Sequence, residues 1–174
     1  TSASMTPPSG YGAASIVPAN TPLPYTLNFS NPPPNTGINH IAIEEQLDPQ
    51  LDVRTFRLSS ITLGTLTIPI PSNRASFTGQ FDFTDQLGVL INVTAGIDVV
   101  SGIAIWDIQA IDPSTGLPST DPNLSLLAAG ATGQIGYTVE VLPTAHSGDQ
   151  ITATARVVLN GGSPIDTARV ANTL

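Results

Sequence analysis

The chain has 174 residues, a net charge of −8, thirteen carboxylates, five arginines, and neither lysine nor cysteine. The missing residues exclude Schiff-base lysines and cysteine nucleophiles, and the scattered arginines do not form the cationic cluster that nucleic-acid phosphates require. No apolar run approaches the roughly 20 residues that span a bilayer. We therefore expect no catalytic residues, no nucleic-acid partner and no membrane insertion.

Residues 1–18 are small, polar and proline-containing, and they predict an N-terminal extension without a fold of its own. Beyond them, apolar and polar residues alternate with period two between Asn, Gly and Pro turns. The absence of helical crossovers favours antiparallel sheets packed face to face, so we predict an all-β sandwich module over residues 19–174. About nine strands are expected, at residues 24–29, 38–44, 62–70, 77–83, 88–95, 103–111, 134–142, 150–159 and 167–171.

Seven aromatic side chains at one parity of these strands are predicted to be mostly buried in the core. They are Tyr25, Phe29, Phe77, Phe81, Phe83, Trp106 and Tyr137. Trp106 also allows a second interpretation, a platform on which a sugar ring stacks. A single tryptophan among β-branched residues is more often buried, and a chain with 5% aromatic residues is poor in sugar-stacking rings.

One long loop is predicted at residues 112–130, which contain three prolines and a short apolar run compatible with one helical turn. Asp112, Ser114 and Asp121 offer oxygen atoms of the kind that calcium requires. The loop lacks the bidentate glutamate of an EF-hand, and Asp-Pro turns also occur for their geometry alone. A calcium site and a purely structural turn are therefore alternatives here, as they are in a second acidic turn at residues 45–52. No other cofactor is predicted.

The remaining polar residues do not combine into a catalytic constellation. His40 and His146 are far apart in sequence and neither is next to a serine nucleophile motif, so both are interpreted as structural or solvated. Glu44 and Glu45 are adjacent on a predicted strand and must point to opposite faces. These two carboxyl groups therefore cannot flank one scissile bond.

Three Asn-x-Ser/Thr sequons are candidate glycosylation sites, at Asn28, Asn92 and Asn123. They would carry glycan only if the chain is exported by a host that glycosylates secreted proteins. Chance matches are expected in a chain rich in Asn, Ser and Thr, so the motif alone is weak support for modification.

Five ordered motifs carry a family resemblance: Leu-Pro-Tyr-Thr-Leu-Asn-Phe-Ser-Asn at 23–31, Glu-Gln-Leu-Asp-Pro-Gln-Leu-Asp at 45–52 with Thr-Phe at 55–56, Gly-Ile-Asp at 96–98 through Gly102 with Ile-Trp at 105–106, Ile-Asp-Pro-Ser-Thr-Gly-Leu-Pro at 111–118 with Asp-Pro at 121–122, and Pro-Ile-Asp-Thr at 164–167 followed by Val-Ala-Asn-Thr at 170–173. Together they resemble a conserved repeat module of large secreted bacterial surface proteins. The resemblance implies an immunoglobulin-like sandwich that serves as an extracellular, non-catalytic building block. The chain lacks the acidic entry segment and the Asn-Glu-Pro of that family, so no ligand residues are carried over.

The segment Gly-Ala-Ala-Ser-Ile-Val at residues 12–17 can add as a strand to the sheet of a neighbouring copy. Ser15, Ile16 and Val17 would make this contact, and its head-to-tail repetition would give a fibre. We therefore predict a non-enzymatic cell-surface spacer, stalk or fibre subunit whose partners are other copies or neighbouring surface modules. The alternative is an adhesion module that binds a ligand or glycan in a calcium-dependent manner.

Overall fold

The computed structural model describes residues 3–174, which form fourteen β-strands and one short helix. The strands are β1 (Ala3–Thr6), β2 (Leu23–Ser30), β3 (His40–Gln46), β4 (Leu51–Leu58), β5 (Ile61–Leu63), β6 (Leu66–Ile68), β7 (Ser76–Phe83), β8 (Val89–Asp98), β9 (Ile103–Ile111), β10 (Thr132–Val141), β11 (Gln150–Ala153), β12 (Arg156–Leu159), β13 (Ile165–Asp166) and β14 (Val170–Thr173). The helix α1 (Thr84–Leu87) connects β7 and β8. No helix in this part of the chain is long and apolar enough to cross a membrane.

The strands assemble into two six-stranded antiparallel sheets and a two-stranded ribbon. The first sheet has the order β1-β2-β10-β5-β6, with β4 also paired to β10. The second sheet has the order β13-β12-β3-β9-β8-β7, and β11 pairs with β14 in the ribbon. Alternate residues of both sheets face one shared apolar core. The predicted all-β antiparallel sandwich is therefore confirmed.

The structure contains five more strands than the nine predicted: two of the predicted strands are each divided, and β1, β4 and β13 were not predicted. Residues 62–70 form the β5–β6 hairpin, which turns at Gly64 with a φ of 63°. Residues 150–159 change partners part-way: β11 pairs with β14, whereas β12 pairs with β3 of the second sheet. Between these two strands, the Ala155 backbone N–H donates to the Thr167 hydroxyl. A change of partner does not interrupt the apolar alternation, so the sequence pattern does not reveal it.

The sequence analysis does not predict strand β4, because a bulge breaks its alternation of apolar and polar residues. Leu51 is buried at one parity, whereas Phe56 and Leu58 are buried at the other. The register with β10 shifts between Thr138 and Glu140. Four residues of β4 lie opposite a single residue of β10, and such an insertion changes the face to which later side chains point.

A cluster of stacked aromatic rings forms the centre of the core. The Tyr137 ring lies 5.2 Å from that of Tyr25, 5.1 Å from that of Phe56 and 5.8 Å from that of Trp106, measured between centroids. Trp106 is 1% exposed, which establishes it as a core residue rather than a sugar platform. Burial of Tyr25, Phe29, Trp106 and Tyr137 confirms four of the seven predicted core rings.

The other three predicted core rings, Phe77, Phe81 and Phe83, pack against this core but are less completely buried than the other four. Their parity is right, since they face inward while the residues between them are exposed. They lie on β7, which is the last strand of the second sheet and pairs only with β8. An edge strand has neighbours on one side only, and period-two patterning does not distinguish it from a central strand.

The N-terminal extension, which is predicted to have no fold of its own, pairs with a strand of its own chain. Residues 3–6 pair antiparallel with β2, from Ala3 opposite Phe29 to Thr6 opposite Thr26. Ala3 and Met5 are buried, which continues the alternation of the first sheet. The extension is therefore held by both backbone pairing and apolar burial.

The described chain begins and finishes at opposite ends of the sandwich. Ala3 pairs with Phe29, which in turn pairs with Gly133 near the start of β10. At the other end, the Leu142 N–H donates to the Gln50 carbonyl, and the Gln50 side chain donates to the carbonyl of Gln150. Gln150 pairs with Thr173 of the last strand. A path from the first to the last strand therefore follows the length of β10.

Candidate functional site

A carboxyl group buried between the two sheets is the most unusual polar feature of the core. Glu45 lies on β3 at the same parity as Ile41 and Ile43, and it is 2% exposed. Its Oε1 atom accepts a hydrogen bond of 2.7 Å from the Tyr137 hydroxyl on β10. Glu44 points outward, which confirms the prediction of opposite faces. The alternation of Ile41 and Ile43 would have identified Glu45 as the buried member.

Burial controls the ionisation of this carboxyl group. It raises the pKa of Glu45 to about 7, although the hydrogen bond from Tyr137 partly opposes the rise. The pKa values of the Tyr137 and Tyr25 hydroxyls also rise, first because of burial and second because of the nearby Glu45 carboxylate. The Tyr25 hydroxyl and the Trp106 Nε1 are buried without a hydrogen-bond partner. This enclosed group can take up or release a proton but has no contact with a substrate-sized opening.

Two buried asparagines hold the long loop at residues 112–130 against the sandwich. The Asn39 Nδ2 donates to the carbonyls of Ser119 and Asp121 at 2.9 and 3.0 Å. The Asn31 Nδ2 donates to the carbonyl of Leu127 at 3.1 Å. Amide side chains thus satisfy loop carbonyls that would otherwise be unpaired, and the expected helical turn does not form. The only sequence signal for these two asparagines is their position beside predicted strands.

The calcium candidates of this loop each stabilise their own turn. The Asp112 Oδ1 accepts from the backbone N–H and the hydroxyl of Ser114, at 2.9 and 2.7 Å, and these two bonds lower the pKa of Asp112. The Asp121 Oδ1 accepts from the Asn123 N–H at 2.9 Å. No group of three or more His, Cys, Asp or Glu side chains that could hold a metal ion occurs within residues 3–174. Calcium binding by Asp112, Ser114 and Asp121 stays a prediction.

The two histidines lie at separate places. The His40 Nε2 is 2.9 Å from the Asp107 carboxylate on the outer face of the second sheet. His146 lies in the turn before β11, where its backbone N–H donates to the Asp149 carboxylate. Each histidine is therefore engaged by a different aspartate, and the fold does not bring the two rings together.

The residues predicted to mediate assembly are bonded within their own chain. The Val17 N–H donates to the Thr173 carbonyl at 2.9 Å, and the Ser15 carbonyl accepts from the Thr173 N–H at 3.3 Å. Ile16 exchanges two backbone bonds with Tyr11. Asn172, which is buried, donates from its Nδ2 to the carbonyls of Pro8 and Ser15. The role of Ser15, Ile16 and Val17 in assembly stays a prediction, but these backbone groups already have partners.

The three sequons differ in accessibility. Asn28 lies in β2, where its Nδ2 donates to the Thr6 hydroxyl, and Asn92 lies in β8, where its Oδ1 accepts from Gln80. Asn123 is exposed in the long loop, where its backbone N–H is bonded and no hydrogen bond involves its side chain. A glycan would therefore be accommodated most easily at Asn123, and glycosylation of all three stays a prediction.

No family model matches the chain, and no curated protein matches its sequence. Solved structures do share its fold. The full-length major pilin SpaD of Corynebacterium diphtheriae matches over 98% of this chain with 12% identity and a TM-score of 0.57, and the major pilin subunit BcpA of Bacillus cereus matches over 98% with 11% identity and a TM-score of 0.58. The collagen-binding domain of a Staphylococcus aureus adhesin matches over 99% with 14% identity and a TM-score of 0.50.

These similarities define the class of fold. The chain is an immunoglobulin-like β-sandwich of the kind found in Gram-positive pilins and adhesins. It spans 34% of the SpaD chain and 40% of the BcpA chain, but 96% of the collagen-binding domain. The immunoglobulin-like fold predicted from the sequence motifs is thereby confirmed.

Proposed function

We propose that the chain is a non-enzymatic structural module of the bacterial cell exterior, serving as a spacer, stalk or fibre subunit. The observation that carries this proposal is the match of nearly the whole chain to 34% of one major pilin and 40% of another. The family resemblance of the sequence motifs points to the same extracellular location.

The use of the polar side chains supports a structural role. Asp112 and Asp121 stabilise turns, Asn31 and Asn39 hold a loop, and Glu45 is enclosed by the core. Catalysis requires a nucleophile, a base and an orienting group around one accessible point. The groups of residues 3–174 that are best placed by hydrogen bonds serve instead to fix backbone segments.

Surface labelling of intact cells tests the proposed location and role. Antibodies against the folded chain should label intact cells of the source organism, and external protease should remove the label without cell lysis. A strain that lacks the gene is the matched control, and a cytoplasmic enzyme released only on lysis monitors cell integrity. Labelling that appears only after lysis would contradict the proposal.

The alternative, a calcium-dependent ligand- or glycan-binding adhesion module, is favoured by the fold shared with a collagen-binding domain and by the exposed loop that carries Asp121. Binding to glycan and matrix-protein arrays should be compared in calcium and in chelator. An adhesion module should lose binding in chelator and in the variant Asp112→Ala, but not in the control Asp85→Ala. A spacer should show the same weak background in all four conditions.

A further inference from the structure

Strand β7 presents a long edge with unpaired backbone groups. It pairs with β8 over all eight residues without a register shift, and no other strand of the described chain pairs with it. The Ile97 N–H donates to the Ala75 carbonyl, so these two residues form a hydrogen-bonded pair of the antiparallel ladder. Hydrogen-bonded pairs recur at every second residue along such a ladder. The odd-numbered residues of β7 therefore bond to β8, whereas Ser76, Thr78, Gln80 and Asp82 point their N–H and C=O groups away from the sheet.

The other sheet edges are shorter or protected. Strands β1, β6 and β13 contain four, three and two residues. The free edge of β4 is as long as that of β7, but it carries Arg54, Arg57 and a bulge, features that discourage strand pairing. Strand β7 has neither lysine, arginine nor proline, and its single charge is Asp82. It is thus the longest regular edge without such protection.

A row of phenylalanine rings follows this edge on its inward face. The ring centroids of Phe77 and Phe81 are 5.9 Å apart, and those of Phe81 and Phe83 are 6.3 Å apart. The Phe77 ring covers Gly79, where a Cβ atom would come within 2.7 Å of it. All three rings are half-buried because no further strand covers them. A strand added at this edge would complete their burial.

We propose that β7 pairs antiparallel with β7 of a second copy about a twofold axis, with Gln80 opposite Gln80 of the partner subunit. This register joins the outward N–H and C=O groups of Thr78, Gln80 and Asp82 to those of the partner. The inference rests on the proposed assembly by strand addition. It differs in the segment that makes the contact, which is β7 rather than residues 15–17. The two second sheets become one continuous sheet of twelve strands, with both phenylalanine rows on the same side.

The sequence of β7 is self-complementary in this register. Phe77 lies opposite Phe83 of the partner subunit, and Phe81 lies opposite the partner's Gly79, a pairing in which the ring shields the glycine backbone. On the outer face, Asp82 lies opposite the partner's Thr78, so no two carboxylates face each other. This charge arrangement matters because the chain carries a net charge of −8 and its other surfaces repel one another. Seven residues, 77–83, at roughly 3.4 Å each give about 24 Å of shared edge.

Sedimentation analysis of the full chain over a concentration series tests this proposal. The wild type should form a reversible dimer. Gln80→Pro should raise the dissociation constant at least about tenfold, because proline removes an outward N–H without removing a bond to β8. Gln80→Lys should raise the constant several-fold by placing like charges opposite each other. The matched control Asn92→Lys removes the same Gln80–Asn92 hydrogen bond one strand inward and should leave the constant unchanged.

A fourth variant tests the register. Thr78→Lys should lower the dissociation constant several-fold, because the new lysine lies opposite Asp82 of the partner subunit. Circular dichroism and thermal melting establish that each variant is folded. Hydrogen exchange provides a second measurement: the amides of Thr78, Gln80 and Asp82 should gain protection as the concentration rises.

Two results would overturn the inference: a wild type that stays monomeric in sedimentation with no concentration-dependent protection in β7, or a Gln80→Pro variant that associates as strongly as the wild type. A Thr78→Lys variant with a higher dissociation constant than the wild type would overturn the proposed register. Surface labelling is independent of these measurements. A protein that labels on the cell surface but stays monomeric would support the structural role and reject the β7 contact. A protein that dimerises through β7 but is found only inside cells would support the β7 contact and reject the structural role.

Discussion

Glu45 of β3 and Tyr137 of β10 join the two sheets through a hydrogen bond of 2.7 Å inside the core. The bond crosses the sandwich at the centre of the aromatic cluster, since Tyr137 also stacks on Tyr25 and Phe56. It is the most buried contact between a carboxyl group and another side chain in residues 3–174. The protonation state of Glu45 is thereby coupled to the packing of both sheets.

Stability should decrease as the pH rises through the neutral range. Burial raises the pKa of Glu45 from 4.5 to about 7, so the folded state holds a proton that the unfolded state releases. The free energy of unfolding should be highest just above pH 4, should fall by about 3 kcal/mol up to pH 7, and should then level off. Urea unfolding across this range measures the slope. Glu45→Gln should flatten it, and the exposed control Glu44→Gln should not.

Four aspartates act in a different pH window. Hydrogen bonds lower their carboxyl pKa values below 3.8, so the stability that they contribute is lost only as the pH falls below about 4. They are Asp82, Asp98, Asp112 and Asp166. Their effect has the opposite sign and does not overlap with the Glu45 slope. A stability that rises steadily from pH 4.5 to pH 7 would contradict the assignment of Glu45.

Replacing the central indole should cost far more than replacing an edge ring. Trp106→Ala should lower the free energy of unfolding by about 3–5 kcal/mol, because it leaves a cavity beneath Tyr137 and Phe56. Phe81→Ala should cost about 1–2 kcal/mol, because its ring is already partly in water. Denaturant unfolding at low protein concentration compares the two variants. Equal costs would show that β7 is covered as fully as β9.

Removing the Asn39 side chain should release the long loop. Asn39→Ala should cost about 1–3 kcal/mol, because the Ser119 and Asp121 carbonyls lose a buried donor. Hydrogen exchange should accelerate across residues 119–127 and stay slow in β3. Asn123→Ala is the control, since that side chain is exposed in the same loop. A loop that remains protected in Asn39→Ala would show that apolar burial of Leu126 and Leu127 holds it instead.

The N-terminal segment should detach when its anchor is removed. Asn172→Ala deletes the donor to the Pro8 and Ser15 carbonyls, so limited proteolysis should cleave residues 8–17 faster. The exposed Asn20 provides a control, Asn20→Ala, close to the same segment. Unchanged cleavage in Asn172→Ala would indicate that the pairing of Val17 with Thr173 is sufficient to hold the segment.

The sequence predicts those features that depend on local alternation. Strand β9 was predicted with its observed bounds, residues 103–111, because its inward residues alternate without interruption. The opposite faces of Glu44 and Glu45 follow from the same rule, and the shared parity of Ile41, Ile43 and Glu45 marks Glu45 as the enclosed one. Trp106 was assigned to the core on the same basis. For such elements the sequence of a single strand is enough to predict its position and its buried face.

Features that depend on distant partners were not predicted. The bulge in β4 requires knowledge of its pairing with β10, and the half-buried state of Phe81 requires knowledge that β7 is an edge. The short strand β1 pairs with β2, about 20 residues away, and the segment that follows β1 is bonded at Pro8 to Asn172 near the other end of the chain. The composition of this segment predicts a tail, because glycine and proline disfavour regular local structure. Composition contains no information about a distant strand with which the segment can pair.

The placement of the two chain ends determines how the sandwich would carry a mechanical load. A pull on Ala3 and Leu174 in opposite directions acts along β1 and β14, because Ala3 is the outer residue of β1 at one end of the sandwich and Thr173 is the outer residue of β14 at the other. All hydrogen bonds between β1 and β2 would then be sheared together rather than unzipped one by one, and the same holds for β14 against β11. The bond from Val17 to Thr173 ties the first segment to the last strand. Tension would therefore act on β1 of the first sheet, on the ribbon and on this bond before either strand is released.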